Sequence, residues 1–292
     1  GNPLRGPEPF TQADAQAWME EAEREMARRG LLLHKVGHGW TGEVLGCTAQ
    51  SWDADPEPLA EEKRPLAALV DGARGLYQGV PANTNLCFHN GDAVDAFAAL
   101  VTEYARTHSN VDYLHVWLAD AYNNVCECQG CQSTTPSDQY VEMLNEMDRR
   151  LTAEGLDTKI VFLLYQELLW PPIQAQLNNP KRFILMFAPI SRTFEQSYQM
   201  EKKLPKIPLY ERNHITLPTD LSENLTFLRS WQKQFQGDSF IYDYPLGRAH
   251  YGDFGYVKLA RVISGDVKRL KELGLNGYIS CQELRAGLPN FF

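Results

Sequence analysis

No run of apolar residues approaches the roughly 18 needed to cross a bilayer, so a membrane-spanning helix is not expected. A basic cluster is missing too. With 28 Lys and Arg against 37 Asp and Glu, the formal net charge is -9 and the pI about 5.3. No stretch has the density of positive charge that would neutralise a row of phosphates, and nucleic acid is not an expected partner. No glycine-rich phosphate fingerprint follows any strand-like segment, which argues against a nucleotide-binding open sheet. Internal repeats and low-complexity tracts are absent. Six cysteines in 292 residues do not make a disulfide framework, and no basic segment with an apolar run opens the chain. The first residue is Gly1 and not Met, so a leader or a further domain upstream is left open. The chain as given reads as soluble, and its compartment and oligomeric state are not legible.

What is present is an ordinary globular composition, 43% hydrophobic and 22% charged, in a chain long enough for a sizeable core. A Thr11/Asp14 capping pattern and helical spacing predict a helix over 11–29, stopped by Gly30. A strand over 31–36 follows, with 37–42 as the loop leaving it. Residues 51–80 have no strong period beyond some helix near 65–70. From there strands alternate with helices: strands at 85–88, 113–119, 159–165, 182–188, 240–243 and 277–281, and helices at 92–106, 137–153, 222–235 and 256–273. Seven strands alternating with helices imply a parallel sheet with right-handed crossovers. Because the chain opens on a helix feeding a strand, the expected fold is α/β, a TIM-like (β/α) barrel lacking its first strand, in a single domain over residues 1–292.

In such a barrel the chemistry gathers at the C-terminal ends of the strands. The residues just past the apolar runs include four carboxyl groups, Asp120, Glu167, Asp243 and Glu283. Beside them stand His38, Trp40, His89, Tyr122, Asn123, Arg192, Tyr244, His250 and Tyr251 as candidate ligand-binding groups. Acids among aromatics suit a sugar, whose rings stack on apolar faces while carboxylates and amides bind hydroxyls. Cleaving a glycosidic bond takes one carboxyl group as proton donor and another as base or nucleophile. Asp120 and Glu167 follow adjacent strands and are the expected pair, with Asp243 and Glu283 orienting substrate or water. His34 and His115 lie inside strands and read as barrel residues.

Cys126, Cys128 and Cys131 supply three thiols in six residues, most of a tetrahedral zinc site if Cys47, a His or another group completes it. The expected role is structural, fixing the loop that carries Asp120, and catalysis itself requires no cofactor. Free thiols are the alternative. Cys87 and Cys281 sit in apolar runs and are expected to be core residues.

The segment Trp117-Leu118-Ala119-Asp120, with Asn123-Asn124-Val125, the cysteine cluster and Pro136-Ser137-Asp138 after it, resembles a bacterial family catalogued as a domain of unknown function. That family is related to glycoside hydrolase barrels of the α-glucuronidase and hexosaminidase kind. The likeness continues through Leu164-Tyr165, Trp170-Pro171-Pro172 and the run from Arg182 to Ile190, and covers most of the chain from about Gly37 onward. The resemblance implies a barrel and a carbohydrate ligand. Hexosaminidase-like relatives carry an adjacent Asp-Glu pair where this chain has Asp120-Ala121; α-glucuronidases place a Glu as acid where this chain has Asp120. The leading expectation is a glycoside hydrolase acting on an oligosaccharide or glycan. The alternatives are a non-catalytic carbohydrate-binding barrel and a metal-dependent hydrolase using the cysteines.

Overall fold

A computed structural model describes residues 9–47, 52, 54, 57–199, 203–246 and 257–281. The first helix, α1 (Gln12–Arg28), is closed by the expected capping box: the Thr11 side chain accepts from the Asp14 N–H, and the Asp14 carboxylate accepts from the Thr11 N–H at 2.8 Å. None of its residues is buried. Strand β1 (His34–Gly37) starts after Leu31 and Leu32, which are exposed. The expected loop at 37–42 instead turns into a short helix, α2 (Trp40–Val44), entered through Gly39 at φ +116°. A small antiparallel hairpin, β2 (Leu69–Val70) and β3 (Ala73–Arg74), precedes α3 (Gly91–Thr107) and β4 (Tyr113–Val116). Then come α4 (Gln129–Gln132), α5 (Pro136–Ala153), β5 (Lys159–Leu164), β6 (Phe183–Phe187), α6 (Leu221–Gln234), β7 (Asp238–Asp243), α7 (Val257–Arg269) and β8 (Tyr278–Ser280).

Six strands form one parallel sheet in the order β1-β4-β5-β6-β7-β8. The seventh expected strand, at 85–88, is not in it: β4 pairs directly with β1, His34 opposite Tyr113. Residues 85–88 make only an isolated antiparallel bridge, Ala67 to Leu86, with the Cys87 N–H donating to the Leu66 carbonyl. That apolar run is buried against the hairpin region, and burial without a ladder looks the same in sequence as a buried strand.

The sheet is strongly curled. A flat sheet would hold β4 and β7, three places apart, about 14 Å from each other, and β1 and β7 about 19 Å apart. Yet Trp117, just past β4, lies 5.9 Å from the Tyr242 ring of β7, and His34 of β1 lies 6.0 Å from Phe240 of β7. The strands therefore describe a half-barrel around a shared interior. Val161, Leu163, Ile184, Met186 and Phe240 fill the concave side. The alternate residues Ile160, Phe162, Leu164, Leu185 and Phe187 face the helical layer and pack with Phe97, Leu144 and Trp231. Exposed His34 meets buried His115, Nδ1 to Nε2 at 2.9 Å, and burial, then the His34 neighbour, holds His115 down to about 3.

Candidate functional site

The C-terminal strand ends bring one carboxylate into a ring of aromatic and imidazole groups. Asp120, four residues beyond β4, accepts from Tyr165 OH at 3.0 Å, the residue after β5, and from the Trp52 indole N–H at 2.8 Å. His38, the residue after β1, places its Nε2 3.4 Å from Asp120 Oδ1. The other ring nitrogen, Nδ1, lies 2.7 Å from the Leu118 carbonyl oxygen, which can only accept, so Nδ1 carries hydrogen. Burial pushes the His38 imidazolium toward its neutral form, against the pull of Asp120 and the Leu118 carbonyl. With Nδ1 turned to the Leu118 carbonyl, Nε2 is the ring nitrogen that faces Asp120 Oδ1, and a proton on Nε2 would bond that oxygen. Around this pair stand Trp117, 4.9 Å from the His38 ring, and the edge-to-face pair Tyr242–Tyr244, with centroids 5.3 Å apart. Among the described residues the buried indole N–H of Trp117 has no acceptor.

Several candidates are placed elsewhere. Trp40 is 2% exposed, donates its indole N–H to the His115 carbonyl and packs on Phe97 and Tyr104; it is a core residue and not a subsite wall. His89 lies against Gly130 beside the cysteines, lining a cavity of about 440 Å³ with Cys87, Cys128 and Arg74, away from the expected sugar subsite. Arg192 and Asp243 are fully enclosed: the guanidinium reaches Asp243 at 3.2 Å and Asp266 at 2.7 Å and lies against the rings of Phe194 and Tyr198. They bind each other, which leaves neither to orient substrate. Tyr122 is exposed next to the cluster. Glu283, His250 and Tyr251 lie outside the described residues.

Glu167 is only 5% exposed. Its carboxylate accepts the backbone N–H of Asn123, whose side-chain amide is in turn tied to both backbone groups of Ile215. Asn123 is thus a loop fastener with φ +58°, and Gln166 beside Glu167 has φ +54°. Two non-glycine residues in the left-handed region at adjacent strand ends are backbone strain of the kind that gathers at working sites. Arg212 is the charged side chain that acts on the Glu167 carboxyl.

Burial pushes the Glu167 carboxyl up to about 7, against the Asn123 hydrogen bond and Arg212. Between pH 4.5 and 7 the folded protein therefore keeps a proton that the unfolded chain releases, so this group's favourable contribution is complete below pH 4.5 and is lost as pH rises through 7. Glu167→Gln, which stays neutral and still offers a carbonyl to Asn123, is expected to match the parent in stability at pH 5. At pH 8 it should exceed it by a few kcal/mol, on the order of 3 at most. Denaturant unfolding at the two pH values measures this, and an equal difference at both would contradict it.

A second cluster lies on the loop that follows Asp120. The sulfurs of Cys87, Cys126, Cys128 and Cys131 all fall within 4.8 Å of one another. Cys87, expected to be a core residue, is the fourth member in place of Cys47; its sequence separation of 39 residues from Cys126 concealed it. Nothing in the local pattern at 85–88 distinguishes a buried ligand from a buried hydrophobe. S–H donors from Cys126 and Cys131 hold the Cys87 thiol far below its ordinary range, while the Cys126 and Cys87 sulfurs push Cys131 up. The four cannot all be thiolates together without a cation among them, and the group has the make-up to hold a metal ion.

Sequence reasoning also missed Tyr165 and Trp52 as partners of Asp120. Tyr165 stood at a strand end and was legible there; Trp52 lies in the aperiodic stretch and gave no signal. A cavity of about 230 Å³ lined by His34, Tyr113, Phe240 and Tyr278 opens near the N-terminal ends of the strands. In a barrel that end serves stability, whereas the C-terminal end carries chemistry. No helix among the described residues is long and apolar enough to cross a membrane.

No curated protein matches this chain. Residues 61–284 match the family described as Domain of unknown function (DUF4838). That match takes in β4 through β8, Asp120 with its Tyr165 partner, and all four clustered cysteines, and with well over half of its length inside it the chain belongs to the DUF4838 family.

Proposed function

We propose that the strand-end cluster is a carbohydrate site and that the protein is a glycoside hydrolase in which Asp120 is the carboxyl group that reaches the glycosidic bond. The observation that carries this reading is the Asp120–His38 pair with Tyr165 and Trp52 bonded to the same carboxylate. A proton carried by the His38–Asp120 pair can pass to a leaving oxygen, and the carboxylate so formed takes one back from the attacking water. Trp52, Trp117, Tyr122 and Tyr244 offer ring faces and polar edges to a sugar. The second carboxyl group falls by elimination to Glu283, since Asp243 is held by Arg192 and Glu167 is closed in under the 121–125 loop.

The test is a panel of aryl glycosides and glycan oligosaccharides, scored for turnover and for binding in parallel. Turnover that vanishes in Asp120→Asn and in Glu283→Gln but survives in Glu167→Gln supports this assignment. Loss in Glu167→Gln equal to that in Asp120→Asn would restore the Asp120/Glu167 pair expected from the sequence. A second reading is favoured by one fact: among the described residues only one of the three candidate carboxyls is open to a ligand. Saturable sugar binding with no turnover in the parent would make the protein a binding barrel. The reading as a metal-dependent hydrolase is weakened because four thiolates would fill a tetrahedral ion and leave no position for water.

A further inference from the structure

We infer that Cys87, Cys126, Cys128 and Cys131 bind one zinc ion in a closed tetrathiolate site that braces the loop leading from Asp120. The spacing of the sulfurs is the first argument. A tetrahedral ion with metal–sulfur bonds of about 2.3 Å sets its sulfurs about 3.8 Å apart. Cys87 Sγ stands 3.6 Å from Cys128 Sγ and 3.9 Å from Cys131 Sγ, far longer than a disulfide and close to that edge length. A span of at most 4.8 Å leaves room for one ion and not for a polynuclear cluster. Four soft sulfur ligands in a tetrahedron select zinc among common divalent ions.

The surroundings suit a charged metal–thiolate group. Four thiolates on a divalent ion leave two negative charges, and the Arg74 guanidinium stands 3.8 Å from Cys87 Sγ. The Leu69 N–H donates to Cys126 Sγ at 3.3 Å, the kind of outer hydrogen bond that orients a ligand. At Gly130 a Cβ would meet the His89 ring at 2.0 Å, so any other residue in the turn between Cys128 and Cys131 would push that exposed ring aside.

The ligands come from two separate stretches of chain, and the ion would join them. Hairpin residue Leu69 accepts from the Glu127 N–H at 2.7 Å, and Asn124 bonds Asn85 at 2.9 Å. Arg212 donates to the carbonyls of Cys126, Cys131 and Thr134, and Asn213 pairs with both backbone groups of Val125. Residues 121–131 thus rest on the hairpin, on 84–88 and on 212–213 at once, with the zinc at the centre. The site stands on its own geometry, and its failure would leave the carbohydrate reading untouched.

The whole chain, produced with added zinc and without chelator, is dialysed and its metals are counted by plasma mass spectrometry beside a thiol titration. The expected result is about one zinc per chain, with four thiols that react only after the metal is displaced. Cys87→Ser and Cys131→Ser should lose the bound zinc, while Cys47→Ser, outside the cluster, should keep it. Exchange of the parent with Co²⁺ gives a readout that needs no variant to fold: the absorption bands of a four-thiolate site are expected. Metal-free protein with freely titrating or oxidised thiols would overturn the inference. So would iron in place of zinc, tight zinc in Cys87→Ser, or a cobalt spectrum of three sulfurs and a water.

Discussion

Asp120→Asn is expected to lower glycoside turnover by about 10² to 10⁴, the usual span for loss of a positioned acid or base. Tyr165 OH bonds Oδ1 and the Trp52 indole N–H bonds Oδ2. In the amide the oxygen can still accept from Trp52 while the NH2 donates to the Tyr165 hydroxyl, which can also accept, so both keep a partner and the fold is expected to stand. What disappears is the proton. Asn cannot ionise or hand a proton to a leaving group, and His38 Nε2 then faces a group that neither gives up nor receives charge. Sugar affinity should change far less than kcat, because the ring faces remain. The measurement is kcat and the dissociation constant of the parent and the variant on the glycoside that the parent cleaves best. A variant that keeps more than about a tenth of parental kcat would show that Asp120 is not the chemical group.

Arg192→Met is expected to cost about 3 to 5 kcal/mol of stability, the penalty of removing one partner from an enclosed ion pair. Arg192 lies at zero side-chain exposure between Asp243 and Asp266, and Asp266 also accepts the Tyr198 N–H at 2.8 Å. Taking away the cation strands two carboxylates without water. They would recover by binding protons, so the deficit should be larger at pH 8 than at pH 5. Burial already raises the Asp243 carboxyl, with Arg192 opposing that rise, and deleting Arg192 removes the opposition. Denaturant unfolding at both pH values checks this, with Arg192→Met/Asp243→Asn expected to recover part of the loss. Since domains are stable by only about 5 to 15 kcal/mol, a single substitution of this size takes a large share of the total. A loss under about 1 kcal/mol at pH 8 would mean that solvent reaches the triad.

The periodic parts of the fold were legible. Helix 11–29 carried its capping pair in the open, and the buried strands at 159–165 and 182–188 stood out as apolar runs between helices. The false strand at 85–88 came from the same signal, since an apolar run records burial and says nothing of what it pairs with. In the site, the rule that strand ends carry chemistry led to His38, Asp120 and Tyr244. It also led to Asp243 and Arg192, which the curled sheet turns toward each other. Position along a strand fixes which face a side chain takes; which partner waits there depends on a distant stretch of chain.

The sequence by itself determined an α/β chain with a parallel sheet, an acidic charge balance, a strand-end aspartate closing a Trp-x-x-Asp run and three crowded cysteines. These are local properties, set by period, composition and spacing. Only the tertiary structure decided that β4 pairs with β1, that Glu167 lies closed in beneath Asn123, and that Cys87 joins the other three sulfurs. Each of those facts joins residues about 40 to 80 positions apart. Closing so long a loop leaves no local trace, because its entropic cost grows slowly with length and is met by contacts at the far end.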